Sequence, residues 1–161
     1  MDCGSWWFDH VGHTYLYVVA VRQNDAGQQS ESVEKLVDGT EAWGRLTGLP
    51  DAGRLMGEHV AAVKALVDAA FTADKAVLDA AIDALLKNIV QQTDLYAKAV
   101  PGFPAEEWRH LFAQHVTATG AYALALAAGD AEDFKKNWNA VLLSRNLLAR
   151  IWARLCASRG A

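Results

Sequence analysis

A chain of 161 residues can bury one substantial core and is short for two ordinary domains, so a single domain over residues 1–161 is expected. Hydrophobic residues make up 52% of it, Ala and Leu dominate and there are three prolines, a composition that favours helix interiors. The formal net charge is −4, with no Lys/Arg block and no reading motif for DNA or RNA, which argues against a nucleic-acid partner.

Helical spacing predicts a first helix from about Trp6 to Arg22, with Trp6, His10, Thr14, Tyr17 and Val21 on one stripe and His13 beside it. The segment Val11 to Val21 is apolar but lacks a basic leader, contains His13, and is shorter than the ~20 residues that span a bilayer. Asn24 to Gly27 reads as a turn, and Ser30 or Ser32 is expected to cap a second helix carrying Val33, Leu36, Val37 and Trp43. Gly48 stops that helix and Pro50 starts a third, from about Asp51 to Phe71, with the stripe Leu55, His59, Val63, Leu66 and Ala70. Asp74 caps a fourth helix that carries Val77, Ala81, Leu85, Ile89 and Gln92 to about Lys98.

Pro101-Gly102-Phe103-Pro104 is the clearest punctuation in the chain. A fifth helix follows from Pro104, with Leu111, Phe112, His115, Thr119 and Tyr122 inward and Gly129 at its end. Asp130 opens a sixth, which carries Phe134, Trp138, Val141, Arg145, Leu148 and Trp152. The expected fold is an all-α, antiparallel up-and-down bundle of about six helices.

Residues 51–98 and 107–154 look like a repeated helical hairpin at an offset of 56. Glu58-His59-Val60 meets Gln114-His115-Val116, Asp74 meets Asp130, and Leu95-Tyr96-Ala97-Lys98 meets Ile151-Trp152-Ala153-Arg154. The repeat puts His59 and His115 at equivalent heights, and the first helix brings His10 to within about a turn of them.

Three imidazoles inside apolar stripes need partners. Neutral imidazole is a common ligand for transition metals, and bundles build metal sites from side chains on facing helices. The expected metal site is therefore His10, His59 and His115, with Glu41 completing it and Asn88, Arg145 and His13 around it. The ion would be a divalent transition metal, zinc or iron. The alternative is a structural polar layer in a non-enzymatic module that carries an apolar ligand, or heme among the six tryptophans. His10-x-x-His13 is a second local chelation pattern, and Glu107-x-x-His110 is half of a di-iron signature better explained as a solvated helix start. A homo-oligomer is compatible with all of these. Nucleotide-binding loops, the serine-hydrolase elbow and H-E-x-x-H are absent from the sequence.

Cys3 and Cys156 form no CxxC pair and no zinc pattern, so a reduced, cytoplasmic protein is expected, with a disulfide as the alternative if the termini meet.

Taken together, His10-Val11-Gly12-His13-Thr14-Tyr15, Glu41, Glu58-His59-Val60, Asn88 ahead of Pro101, and His115 resemble the pattern of a family of small helical proteins known mainly from Bacillus and its relatives. The resemblance covers about residues 6 to 155. It implies a helical fold and these candidate positions, and no particular reaction.

Overall fold

The computed structural model describes residues 2–157. They form six helices: α1 (Cys3–Gln23), α2 (Ala26–Thr47), α3 (Pro50–Thr72), α4 (Lys75–Ala99), α5 (Ala105–Ala128) and α6 (Ala131–Ala157). Among the described residues there is no strand, and no helix is long and apolar enough to cross a membrane.

The helix boundaries follow from local chemistry. Aspartate side chains accept the first free amides of α1, α2, α4 and α6, through Asp2, Asp25, Asp74 and Asp130. The expected Ser30 or Ser32 cap is corrected: Asp25 accepts from the Gln28 amide at 3.0 Å, so α2 begins four residues before Ser30. Ser32 lies buried inside the helix, where it accepts from the Gln28 side chain. Pro50 sits at the start of α3, where its missing N–H costs nothing. Gly48 and Gly129 end α2 and α5 in the left-handed region that glycine tolerates best. Ala73 adopts the same conformation, with φ of 57°, at the place 56 residues before Gly129.

Each helix packs on the next, and α6 packs on α1, closing a ring. Contacts α3–α5, α1–α3 and α1–α5 cross inside that ring. The odd-numbered helices, which carry the three histidines, therefore share the centre. Positions 56 residues apart match in burial: Leu55 and Leu111, Met56 and Phe112, His59 and His115, Leu85 and Val141, Asn88 and Ser144, and Tyr96 and Trp152 are buried pair by pair.

The centre is aromatic. Trp6, Trp7, Trp43, Trp108 and Trp152 are fully buried and pack together largely edge to face, while Trp138 rests on Tyr15 and Tyr122. Five of the six tryptophans thus fill the core.

Close approach of α2 and α3 depends on small residues. A Cβ on Gly53 would stand 2.8 Å from the Thr40 carbonyl oxygen, with Gly44 just beyond. Gly53→Ala should therefore destabilise the fold by about 1 kcal/mol or more, although Gly to Ala in a helix normally gains about 1. Gly12→Ala, where a Cβ meets open space, should show the ordinary gain. Urea denaturation of the two variants checks the opposite signs.

Cys3 and Cys156 are joined by a disulfide, which ties the start of α1 to the end of α6. The expectation of free thiols is corrected: the ring of helices brings the two ends together, an outcome that spacing along the chain cannot reveal. The bond also removes the ground on which a reduced compartment was expected.

Candidate functional site

His10, His59 and His115 are 6%, 1% and 4% exposed, on α1, α3 and α5. The His10 and His59 rings lie 5.7 Å apart, centre to centre. Trp6 stacks on His10 at 4.9 Å, and Phe112 lies 4.9 Å from His59. Trp7 touches both His10 and His115, at 5.8 and 6.1 Å, and Phe112 lies 6.5 Å from His115. His10 and His59 are thus ring neighbours, and His115 is joined to them through Trp7 and Phe112. With these side-chain positions, no three His, Cys, Asp or Glu groups among the described residues form a ready metal cage.

Burial governs their charge. Loss of hydration holds His59 down at about 3 and His115 at about 4, against an ordinary 6.5, and holds His10 well below it too. Repulsion from His115 adds to the effect on His59, and the Arg145 cation adds to it on His115. All three are neutral at neutral pH, the form in which imidazole binds metal.

Their hydrogen bonds differ. His115 Nδ1 meets Ser144 Oγ at 3.2 Å. The one hydrogen of that hydroxyl has the carbonyls of Ala140 and Val141 as alternative acceptors, both at 3.0 Å. With that hydrogen on a backbone carbonyl the hydroxyl accepts from a protonated Nδ1, and with it turned to the ring Nδ1 accepts. His10 Nδ1 and His59 Nδ1 are buried and have no hydrogen-bond partner. Either tautomer leaves an unmade bond there, at a cost of about 1–3 kcal/mol each. His10 also lines a small hollow of about 10 Å³ with Thr14, Tyr17 and Lys64.

The other expected members stand apart. Glu41 is corrected as a ligand: its side chain is 75% exposed and pairs with Arg45 at 3.6 Å. The buried face of α2 runs through Leu36, Thr40, Trp43 and Thr47, and Glu41 is a hundred degrees around from Thr40. Arg145 lies over the Phe8 ring at 4.2 Å and bonds Asn146, and it does not meet Glu41 or Glu58. Its guanidinium still acts on His115 through charge. His13 is half-buried at a surface pocket beside His10.

Asn88 is buried, as expected, but serves the backbone. Its amide donates to the Leu55 carbonyl at 2.8 Å, one turn before His59. Asn88 accepts from Gln92 at 2.8 Å, Gln92 accepts from the Tyr96 hydroxyl at 3.1 Å, and Tyr96 accepts from Trp43 at 2.8 Å. This buried run satisfies each member and locks α2, α4 and α3 together at the level of the histidines.

Ser144 and the Trp43–Tyr96 end of this run are the members sequence reasoning missed. A signal for Ser144 was present, because it stands at the repeat offset from Asn88. Comparison with protein-family models, with curated proteins and with solved structures finds no match for this chain.

Proposed function

We propose that the chain is a small metal-binding helical bundle. His10 and His59 hold a divalent transition ion, zinc or iron, and His115 supplies a third nitrogen. The observation that carries the reading is the state of the three rings. His115 Nδ1 is held by Ser144 at 3.2 Å, the kind of outer partner that orients metal-binding histidines. His10 and His59, adjacent and neutral, each hold a buried ring nitrogen with no partner. A bound ion would give those nitrogens the partner they lack. The aromatic walls would exclude bulk water, and the Asn88 run would hold the His59 turn in place. When bound, the ion supplies Lewis acidity or simply rigidity; the chain's own residues specify no reaction.

The resemblance to the Bacillus family supports the choice of positions. A layer that is only structural is the competing reading, and it too needs neutral imidazoles. Elemental analysis and zinc titration separate the two. The metal reading expects one tightly held ion per chain, lost in His59→Leu and in His115→Leu while both variants keep their helical circular dichroism. Wild-type protein that takes up no zinc, cobalt or iron would leave the structural layer standing.

A further inference from the structure

A pocket opens at the surface between α1 and α2, and His10 lines it, whereas His59 and His115 do not. His10 is also the most exposed of the three, at 6% against 1% and 4%. The histidine cluster meets this pocket through His10 alone.

The register of the two helices decides what surrounds that point. The Trp6 indole donates to the Gly39 carbonyl at 2.7 Å, the Gln29 side chain donates to the Ala20 carbonyl at 3.3 Å, and the Cys3 sulfur lies 3.6 Å from the Leu46 carbonyl oxygen. The helices therefore run antiparallel, with Asp38 of α2 level with Asp9 and His10 of α1. His13 follows Asp9 by four residues, one turn along the same side of α1. Asp9, His13 and Asp38 all line the pocket, and both carboxylates are exposed. Among the described residues neither carboxylate enters an ion pair.

Two uncommitted carboxylates and an imidazole thus stand before a buried imidazole whose Nδ1 has no partner. Oxygen and nitrogen donors in that order suit a divalent cation that sheds water as it moves inwards. Two cations line the same pocket. Arg45 is roughly 10 Å along α2 from Asp38 and is paired with Glu41. Lys35 is only about 4.5 Å along the axis, and its charge opposes an entering ion. With these side-chain positions the acids and imidazoles form no three-ligand cage, an arrangement suited to passing an ion on rather than keeping it.

We propose that this pocket is the port through which a divalent transition ion reaches the histidine layer. Asp9, His13 and Asp38 capture the ion from solvent, and His10 takes it inwards towards His59. The inference rests on the metal reading above and adds the route to it.

The test is stopped-flow loading of the chelator-stripped, disulfide-bonded protein with zinc, followed by release into a chromophoric chelator. A port lowers one barrier in both directions. Asp9→Asn/Asp38→Asn should therefore slow loading and release together, each about tenfold, with zinc stoichiometry and affinity nearly unchanged. His13→Gln should act in the same direction, and Lys35→Gln should speed loading. Asp83→Asn/Asp94→Asn removes the same charge from exposed positions of α4 and should leave both rates as they are. Circular dichroism should be the same for all of these surface variants. Zinc held through His59 and His115 but loaded at wild-type rates by Asp9→Asn/Asp38→Asn would overturn the port and leave the metal site standing. The same follows if that variant loses affinity with no change in loading rate, because the carboxylates would then be resting ligands. A wild-type protein that takes up no zinc would overturn both.

Discussion

Replacing the Cys3–Cys156 disulfide by serines should cost the fold a large share of its stability. The bond closes a loop of sequence separation 153, nearly the whole described chain. In the chain-entropy picture, a loop of that length contributes about 5 kcal/mol by restricting the unfolded state, and measured losses commonly fall in the range of about 2–5. A domain of this size has a total stability on the order of 5–15 kcal/mol, so the loss is a large fraction of it. Urea denaturation of the double serine variant, against oxidised wild type, should show a midpoint shifted sharply down. The native helical content should persist in the variant before the transition, because the core beneath the bond is otherwise complete. An unchanged midpoint would mean that the ends are held by packing alone.

Acid should unfold the protein through its histidine layer. His59 and His115 have folded values near 3 and 4, below the ordinary 6.5. Between those values the unfolded chain binds more protons than the folded one, so stability rises with pH. The contribution is fully present above 6.5 and is lost as pH falls from there towards 3 to 4. At pH 5 each of the two imidazoles has lost about 2 kcal/mol, roughly 4 together. His10 acts in the same direction. His59→Leu/His115→Leu removes both proton-binding groups and the unmade bond at His59 Nδ1. In chelator, wild type should lose stability steeply between pH 6.5 and 5, and the double leucine variant should lose far less. Parallel pH profiles for the two proteins would contradict the burial of neutral imidazoles.

Much of the fold was legible because helices carry a strong local signature. Apolar residues at helical spacing, prolines at helix starts, and glycines at ends set five of the six elements to within a few residues. The miss at α2 came from capping: Asp25 was taken for a turn residue, whereas its carboxylate starts the helix. The histidines were legible because each interrupts an apolar stripe, and the repeat tied two of them together. Glu41 was not, because which side of α2 faces inward depends on how α2 meets α1 and α3. A residue beside a buried threonine can still point to solvent. The disulfide and the Trp43–Tyr96–Gln92–Asn88 run were hidden for the same reason: both join positions far apart in sequence through packing.

The claim that the histidine layer is a metal site is tested most directly by X-ray absorption at the zinc edge on the zinc-loaded protein. The account predicts a first shell that includes imidazole nitrogens at about 2.0–2.1 Å from the ion, with His10, His59 and His115 as their source. His59→Leu and His115→Leu should each lower the imidazole count or prevent loading. A shell of oxygen alone, or an imidazole signal unchanged in both variants, would contradict it.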